Sequence, residues 1–427
     1  MAKRQSKRGF QGWRVMTNDS SFGRSKIFKV STSRGMAASG GTGPRAWCHD
    51  TRRHPLLAQL VLPATDRKTI QLDVILPTEP IGSIPRPLRL LDAISALGSA
   101  SAADLEALYE DAVRDTIECF EATGSPVITD GEQRKYHNFW TYCVQDLPNT
   151  APDGFKIPFA AGHTRRMPRL TSGPFRYHRY ADAYLDLAFR YAKRPVKQAV
   201  ISPSALSLMY PAEGLPGYSR EEFIDDLLHE HETEVRRCLQ KGAHTVQIDF
   251  TEGRLAVKID PSGGLLHSFI DLNNLALARF TDADRQRIGV HTCPGSDRDS
   301  THSADVDYAD LLPALFELNV GNFFIALATE QDPQRVLRII GDHMKPHHRI
   351  FIGVVAPIDP RIETPEEIRD RIIEAARFIP PEQLGTTDDC GFSPFCDDRS
   401  TTRETAFAKI RARVEGTALA ARAIGGG

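Results

Sequence analysis

No run of the chain approaches the ~18–20 uninterrupted apolar residues of a membrane-spanning helix. The opening residues MAKRQSKRGF lack the apolar stretch of a secretory signal. Cysteine is sparse, seven in 427 residues with no CxxC pair, which argues against a disulfide framework and a clustered structural zinc module. No glycine fingerprint for dinucleotide or phosphate binding follows any β-like run. HExxH is also absent; the superficially similar HEHE at 229–232 lies on a predicted helix away from strand ends and reads as a solvated or packing segment. Net positive charge is confined to one end. Residues 1–53 carry 12 Lys/Arg against 2 Asp/Glu, and the remainder carries 41 against 53. Such an acidic body is a poor ligand for a phosphate backbone. The expectation is a soluble, cytoplasmic protein with neither nucleic acid nor membrane as partner.

Residues 1–70 are basic, rich in Ser and Gly, and without a sustained hydrophobic period. Three readings stay open for them: an organelle transit peptide, a binding arm, or a disordered extension with Met36 as an internal start. From residue 71 short β-like runs alternate with amphipathic helical stretches, the pattern of a parallel α/β fold. Eight runs read as strands: Leu72–Leu76, Val127–Asp130, Val196–Ile201, Thr245–Asp249, Ile288–His291, Asn322–Leu327, Ile350–Val354 and Leu384–Thr387. Between them, Arg220–Leu239 places Ile224, Leu227, Leu228, His231, Val235 and Leu239 on one face, and Pro365–Phe378 does the same with Ile368, Ile372, Ala375 and Ala376. Eight strands with intervening helices over 71–427 predict a single (β/α)8 TIM barrel domain. Residues 133–195 are too long for one crossover, which predicts an inserted hairpin around Arg165–Tyr177.

In such a barrel reactive groups gather at the carboxyl ends of the strands. The chain there reads Ile81-Gly82-Ser83, Asp130-Gly131-Glu132, VQID ending in Asp249, His291-Thr292-Cys293, Glu330, and Asp388-Asp389-Cys390-Gly391. Two side chains in HxC on an extended segment face the same way. His291, Cys293, Cys390 and Glu330 therefore form a candidate tetrahedral set, and soft thiolates favour zinc. Each tripeptide alone has a plainer reading: a buried cysteine, a satisfied histidine, a turn serine or a solvated loop acid. Cys396 lies near enough to Cys390 to compete as a ligand, while Cys48, Cys119, Cys143 and Cys238 carry no motif.

The order TEPIGSIPRP, DGE, VQID, HTC and DCG resembles the catalytic barrel of cobalamin-independent methionine synthase and its shorter homologues, from about residue 71 to the C-terminus. The resemblance implies zinc held by His291, Cys293 and Cys390, with Glu330 the nearest match for a carboxylate ligand. It implies an amino-acid thiol, homocysteine, with its carboxylate near Ser83 and its amino group near Glu132 and Asp249. FFIALATE puts Glu330 several residues beyond the strand end where the family carboxylate stands, QIDFTEG replaces QIDEP, and VVAPIDP lacks the family's histidine. His302 and Asp359 are the acids left to nominate for the leaving group.

The expected activity is zinc-dependent transfer of a methyl group from a 5-methyltetrahydrofolate-type donor to a thiol, so the partners are a small-molecule thiol and a methyl donor. Three alternatives remain: a zinc thiol alkyltransferase using an epoxide or methyl ether, a metal-free decarboxylase of the uroporphyrinogen type, and a zinc storage protein.

Overall fold

Six short apolar runs form one continuous parallel ladder in the computed structural model: β1 Gln198–Ile201, β2 Val246–Asp249, β3 Ile288–Thr292, β4 Asn322–Ile325, β5 Arg349–Val355 and β6 Leu384–Asp388, each paired with its neighbours in sequence. The structure describes residues 75–426 except 97–101, 136–137, 161, 163 and 296–299, and the basic segment 1–70 with its candidate start at Met36 lies outside the described residues. The two remaining predicted strands are each reduced to a single parallel bridge, Thr78 to Thr386 beside β6 and Ile128 to Val196 beside β1. Side-chain and backbone bonds then join the two: Thr129 Oγ1 donates to Gly82 O at 2.8 Å and Ile84 N to Gly131 O at 3.0 Å. The ring closes, and the fold is the (β/α)8 barrel.

The first strand lies later than the apolar run Leu72–Leu76 suggests, and Leu72–Val74 fall outside the described residues. Pro77 and Pro80 supply no N–H, so only a short stretch can pair: Thr386 N donates to Pro77 O and Glu79 N to Thr386 O. The insertion also differs in extent. It comprises two antiparallel pairs, Lys156–Pro158 with Thr164–Arg166 and Thr150–Ala151 with Arg169–Leu170, so Arg165–Leu170 is the returning arm and not the start.

Local signals set the helices. The helix α1, Arg220–Lys241, begins with a Ser219–Glu222 capping box and stops at Gly242 in the left-handed region, φ 104°. Its HEHE segment packs rather than coordinates. Glu230 accepts from Tyr177 N and Tyr180 OH, and Glu234 accepts from Tyr142 OH and Ala181 N, which fastens the chain after the inserted pairs to the barrel wall. Helix α2, Pro365–Ala375, starts on a Thr364–Glu367 capping box and buries Ile368, Ile372 and Ala375. It lies against the C-terminal helix α3, Arg403–Gly425. A Cβ on Gly416 would stand 2.5 Å from Ile368 Cγ2, so close approach of the two helices needs glycine there.

Outward residues such as Ile248, Val290, Phe323, Ile325, Ile350 and Ile352 join the main core. The lumen is filled separately by Ile81, Phe324 and Phe351. The two phenyl rings stack at 4.6 Å, and Lys197 Nζ sits 3.3 Å from the centroid of Phe324. Cβ atoms on Gly289 and Gly385 would each come within 2.6 Å of these rings. Truncation at this plug, Phe324→Ala, is expected to cost about 3–5 kcal/mol, measurable as a lowered urea-unfolding midpoint.

Candidate metal centre

Cross-strand register brings the first part of the site together. Asp249 pairs with His291, and His291 with Phe324, so these side chains share the lumenal face at the carboxyl ends of β2, β3 and β4. Cys293 follows β3 by one residue and Cys390 follows β6 by two. Ligand atoms of His291, Cys293 and Cys390 all lie within 4.8 Å of one another, and all three residues are buried. The two sulfurs are 2.9 Å apart, beyond the roughly 2.05 Å of a disulfide, and none of the six described cysteines is in a disulfide. His291 Nδ1 faces Phe324 O at 3.3 Å, whereas Nε2 is buried with no partner among the described residues. Contact with Cys390 foremost, then burial, pushes the Cys293 thiol well above its ordinary range.

The Cys390 backbone is fixed by its neighbour. Asp389 accepts from Leu327 N and Ala328 N at 2.8 Å, and from Thr329 N and Oγ1 at 3.0 Å. Burial pushes its carboxyl up to about 6. Asp388 turns to a different partner, Arg413 Nη1 of α3 at 2.8 Å.

Glu330 is not brought into this cluster. Its carboxylate pairs with Arg254 Nη1 at 3.0 Å, and Arg254 also donates to Ser303 O and Val306 O. Glu330 thereby belongs to a clamp joining α4, Glu252–Ile259, to the loops beyond β3 and β4. At the end of β4, Ala326 packs with Cys293 and Cys390 instead. Cys396 is likewise outside the cluster, its thiol raised by burial.

One cavity opens onto the three ligand residues and is also lined by Ser83, Glu132, Asp249, Glu252 and His302. Ser83 Oγ accepts from Ser393 N at 3.2 Å. Glu132 holds a left-handed backbone, φ 56°, after Gly131 at φ 70°, with its N–H on Asp130 Oδ1. Its side chain meets buried Lys135 at 3.2 Å. Burial opposes the Lys135 charge, but Glu132 and Asp249 outweigh it and hold that ammonium above its usual pKa. Burial, then the Glu132 charge, lifts Asp249 to about 6. His302 Nδ1 lies 2.8 Å from Ser303 Oγ, and burial with Arg254 and Lys258 pushes it down to about 3, so the ring is neutral at pH 7. Asp359 does not line this cavity. It is 42% exposed and caps a turn through Arg361 N at 2.9 Å, because VVAPIDP leads the chain out past the rim. Phe139, Trp140, Ile157, Phe159, Met167 and Phe395 form the opposite, apolar wall.

Two lining or supporting residues carry no signal in the motifs: Lys135, three residues beyond Glu132, and Glu252, in the TEG that follows QIDF. The i, i+3 spacing of DGEQRK is the only hint for the first.

Residues 76–418 match the family described as cobalamin-independent synthase, catalytic domain. The chain belongs to this family. As a member of the cobalamin-independent synthases it is a methyltransferase. It is 26% identical to a methionine synthase of Sulfurisphaera tokodaii over 357 residues, 81% of this chain and 92% of that protein. It is 24% identical to the uncharacterized protein YxjH of Bacillus subtilis, over 78% of this chain and 91% of that one. Its fold matches a B12-independent methionine synthase from Shewanella, solved in complex with selenomethionine, at TM-score 0.61 and 18% identity, covering 82% and 99% of the two chains. A second match, a putative B12-independent methionine synthase from Listeria monocytogenes, has TM-score 0.61 and 22% identity over 80% and 98%. Among the described residues no helix is long and apolar enough to cross a membrane.

Asp389→Asn would set an amide donor against the N–H groups that the carboxylate now accepts. It is expected to weaken metal binding about 10–100-fold, read by competition with a chelator.

Proposed function

We propose that this chain is a zinc-dependent S-methyltransferase acting on a thiol-bearing amino acid, methionine synthase-like in its chemistry. The observation that carries the reading is His291 Nε2, buried and without a partner among the described residues, beside the sulfurs of Cys293 and Cys390. A buried polar nitrogen without a partner is costly, and the set of one imidazole and two thiols suits a borderline-soft cation in tetrahedral coordination. His291, Cys293 and Cys390 would hold it. Glu330 is engaged by Arg254 and would not be among the ligands. Zinc held by the three residues would supply Lewis acidity that lowers the pKa of a thiol toward neutrality.

The protein's own groups orient the acceptor. Ser83 is placed to bind a carboxylate, and Asp249 with Glu132 to receive an ammonium group, which matches homocysteine. Lys135 neutralises one of these carboxylates and limits the negative charge left when the site is empty. The apolar wall from Phe139 to Phe395 excludes water from the methyl group and suits a flat donor such as 5-methyltetrahydrofolate. The apolar character of that wall equally suits a second electrophile class, a different methyl or alkyl compound such as a methyl ether or epoxide.

Purified protein is expected to contain about one zinc per chain. X-ray absorption at the zinc edge should show an oxygen or nitrogen neighbour replaced by sulfur on addition of homocysteine. Cys390→Ser should reduce zinc affinity by more than the roughly 10–100-fold typical of losing a supporting residue and abolish turnover. Retention of full activity by a zinc-free Cys390→Ser protein would refute the mechanism. A donor panel with homocysteine decides between the two readings: turnover of 5-methyltetrahydrofolate supports methionine synthesis, and turnover of an epoxide or ether alone supports the alternative.

A further inference from the structure

The methyl group must leave its donor with an electron pair going to the atom it departs from, and an amine or alkoxide leaving group needs a proton. The two acids nominated from the sequence are ill suited to supply that proton. Asp359 is off the cavity, and His302 is neutral with its Nδ1 beside Ser303. We propose that Glu252 is the proton donor to the leaving group, which deepens the methyltransferase reading and rests on it. Glu252 opens helix α4 directly after β2 and lines the cavity that holds His291, Cys293 and Cys390. Its Oε1 accepts from both Ser202 Oγ and Ser204 Oγ, and Asn273 Nδ2 holds Ser204 in turn at 2.9 Å. The other oxygen, Oε2, is buried and has no partner among the described residues.

This arrangement suits a carboxylic acid rather than a carboxylate. Two hydroxyls fix Oε1 as the acceptor, leaving Oε2 as the place for a proton. Burial foremost lifts the group to about 7; the serine hydrogen bonds pull the other way, and Asp249 adds to the rise. The cation on its own helix, Arg254, turns away to Ser303 O, Val306 O and Glu330, and Lys258 is engaged with Asp305. In the step itself, the acceptor sulfur forms a bond to the methyl carbon while the bond from that carbon to nitrogen or oxygen breaks. Its electron pair stays on the leaving atom, which takes the proton from Oε2. Glu252 is left as a carboxylate and regains a proton from solvent after product leaves.

Leaving-group dependence tests this. Methyl iodide, which departs as iodide without a proton, is compared with 5-methyltetrahydrofolate and an aryl methyl ether, using homocysteine and zinc-loaded full-length protein. Glu252→Gln should reduce kcat at least about 100-fold more with the donors that need a proton than with methyl iodide. Because the acid form is required, wild-type kcat with those donors should fall as pH rises through about 7, and the variant should lose that limb. Ser204→Ala removes a hydrogen bond that lowers the pKa, so it should move the limb to higher pH. Equal loss with all donors, or no loss, overturns the assignment. So does a wild type that uses methyl iodide and no donor with a basic leaving group. A wild type inert even to methyl iodide strikes the methyltransferase reading itself.

Discussion

Four hydrogen bonds onto the Asp389 carboxylate fix the geometry on which the site depends. They come from three consecutive backbone N–H groups and one hydroxyl of Leu327–Thr329, beyond β4, and they hold the residue next to Cys390. Space for that carboxylate exists because position 353 has no side chain: a Cβ there would be 1.9 Å from Asp389 Oδ1. Burying a carboxylate without such donors costs several kcal/mol. With them, the end of β6 is pinned to the loop after β4, and Cys390 comes to lie against Cys293 from β3. Two strands that are not neighbours in the ring, β3 and β6, thereby bring His291, Cys293 and Cys390 to one point.

Below that rim the lumen is closed by the Phe324–Phe351 stack and by buried ions. Lys197 meets Glu79 at 3.6 Å and donates to Pro80 O at 2.8 Å, while Arg413 bonds Asp388 and Glu79 O. Burial pushes Lys197 down to about 8, with Glu79 opposing the fall. Such pairs add little net stability because desolvation offsets attraction. Their effect here is positional: they tie α3 and the bridge segment around Thr78 to the ends of β1 and β6. Asp388 and Asp389 take partners in different elements, so the DDC tripeptide locks β6 to both the outer helix and the next loop.

Much of this is legible in the sequence because strand ends carry chemistry in this fold. Six of the eight apolar runs are ladder strands with boundaries shifted by a few residues, and HxC on an extended segment puts His291 and Cys293 on one side. The first shrinks to a bridge because Pro77 and Pro80 interrupt its hydrogen bonding, which hydrophobicity does not register, and the second is likewise a single bridge. Linear distance to a strand end singles out Glu330 and Asp359, whereas their positions follow from Arg254 and from a loop leaving the rim. Glu252 and Lys135 give no linear signal for a related reason. An acid and a base in a helical first turn or a loop look solvated until tertiary packing buries them.

Asp249 and Glu252 show how burial alone does not assign a role. Both are buried and both are raised, to about 6 and about 7. Burial and Glu132 raise Asp249, but it accepts from Gln247 Nε2 at 2.7 Å and Lys135 opposes the rise, so a cationic neighbour favours its ionised form. Glu252 has hydroxyl donors on one oxygen and, among the described residues, no cation turned toward it and an unpartnered second oxygen. An ammonium group brought by the acceptor adds to the first environment and not to the second. Occupation of the proposed amino-acid site would therefore drive the two carboxyl groups further apart, toward a charged Asp249 and a protonated Glu252. Separation of this kind lets neighbouring acids of one chemical type play opposite parts at one pH.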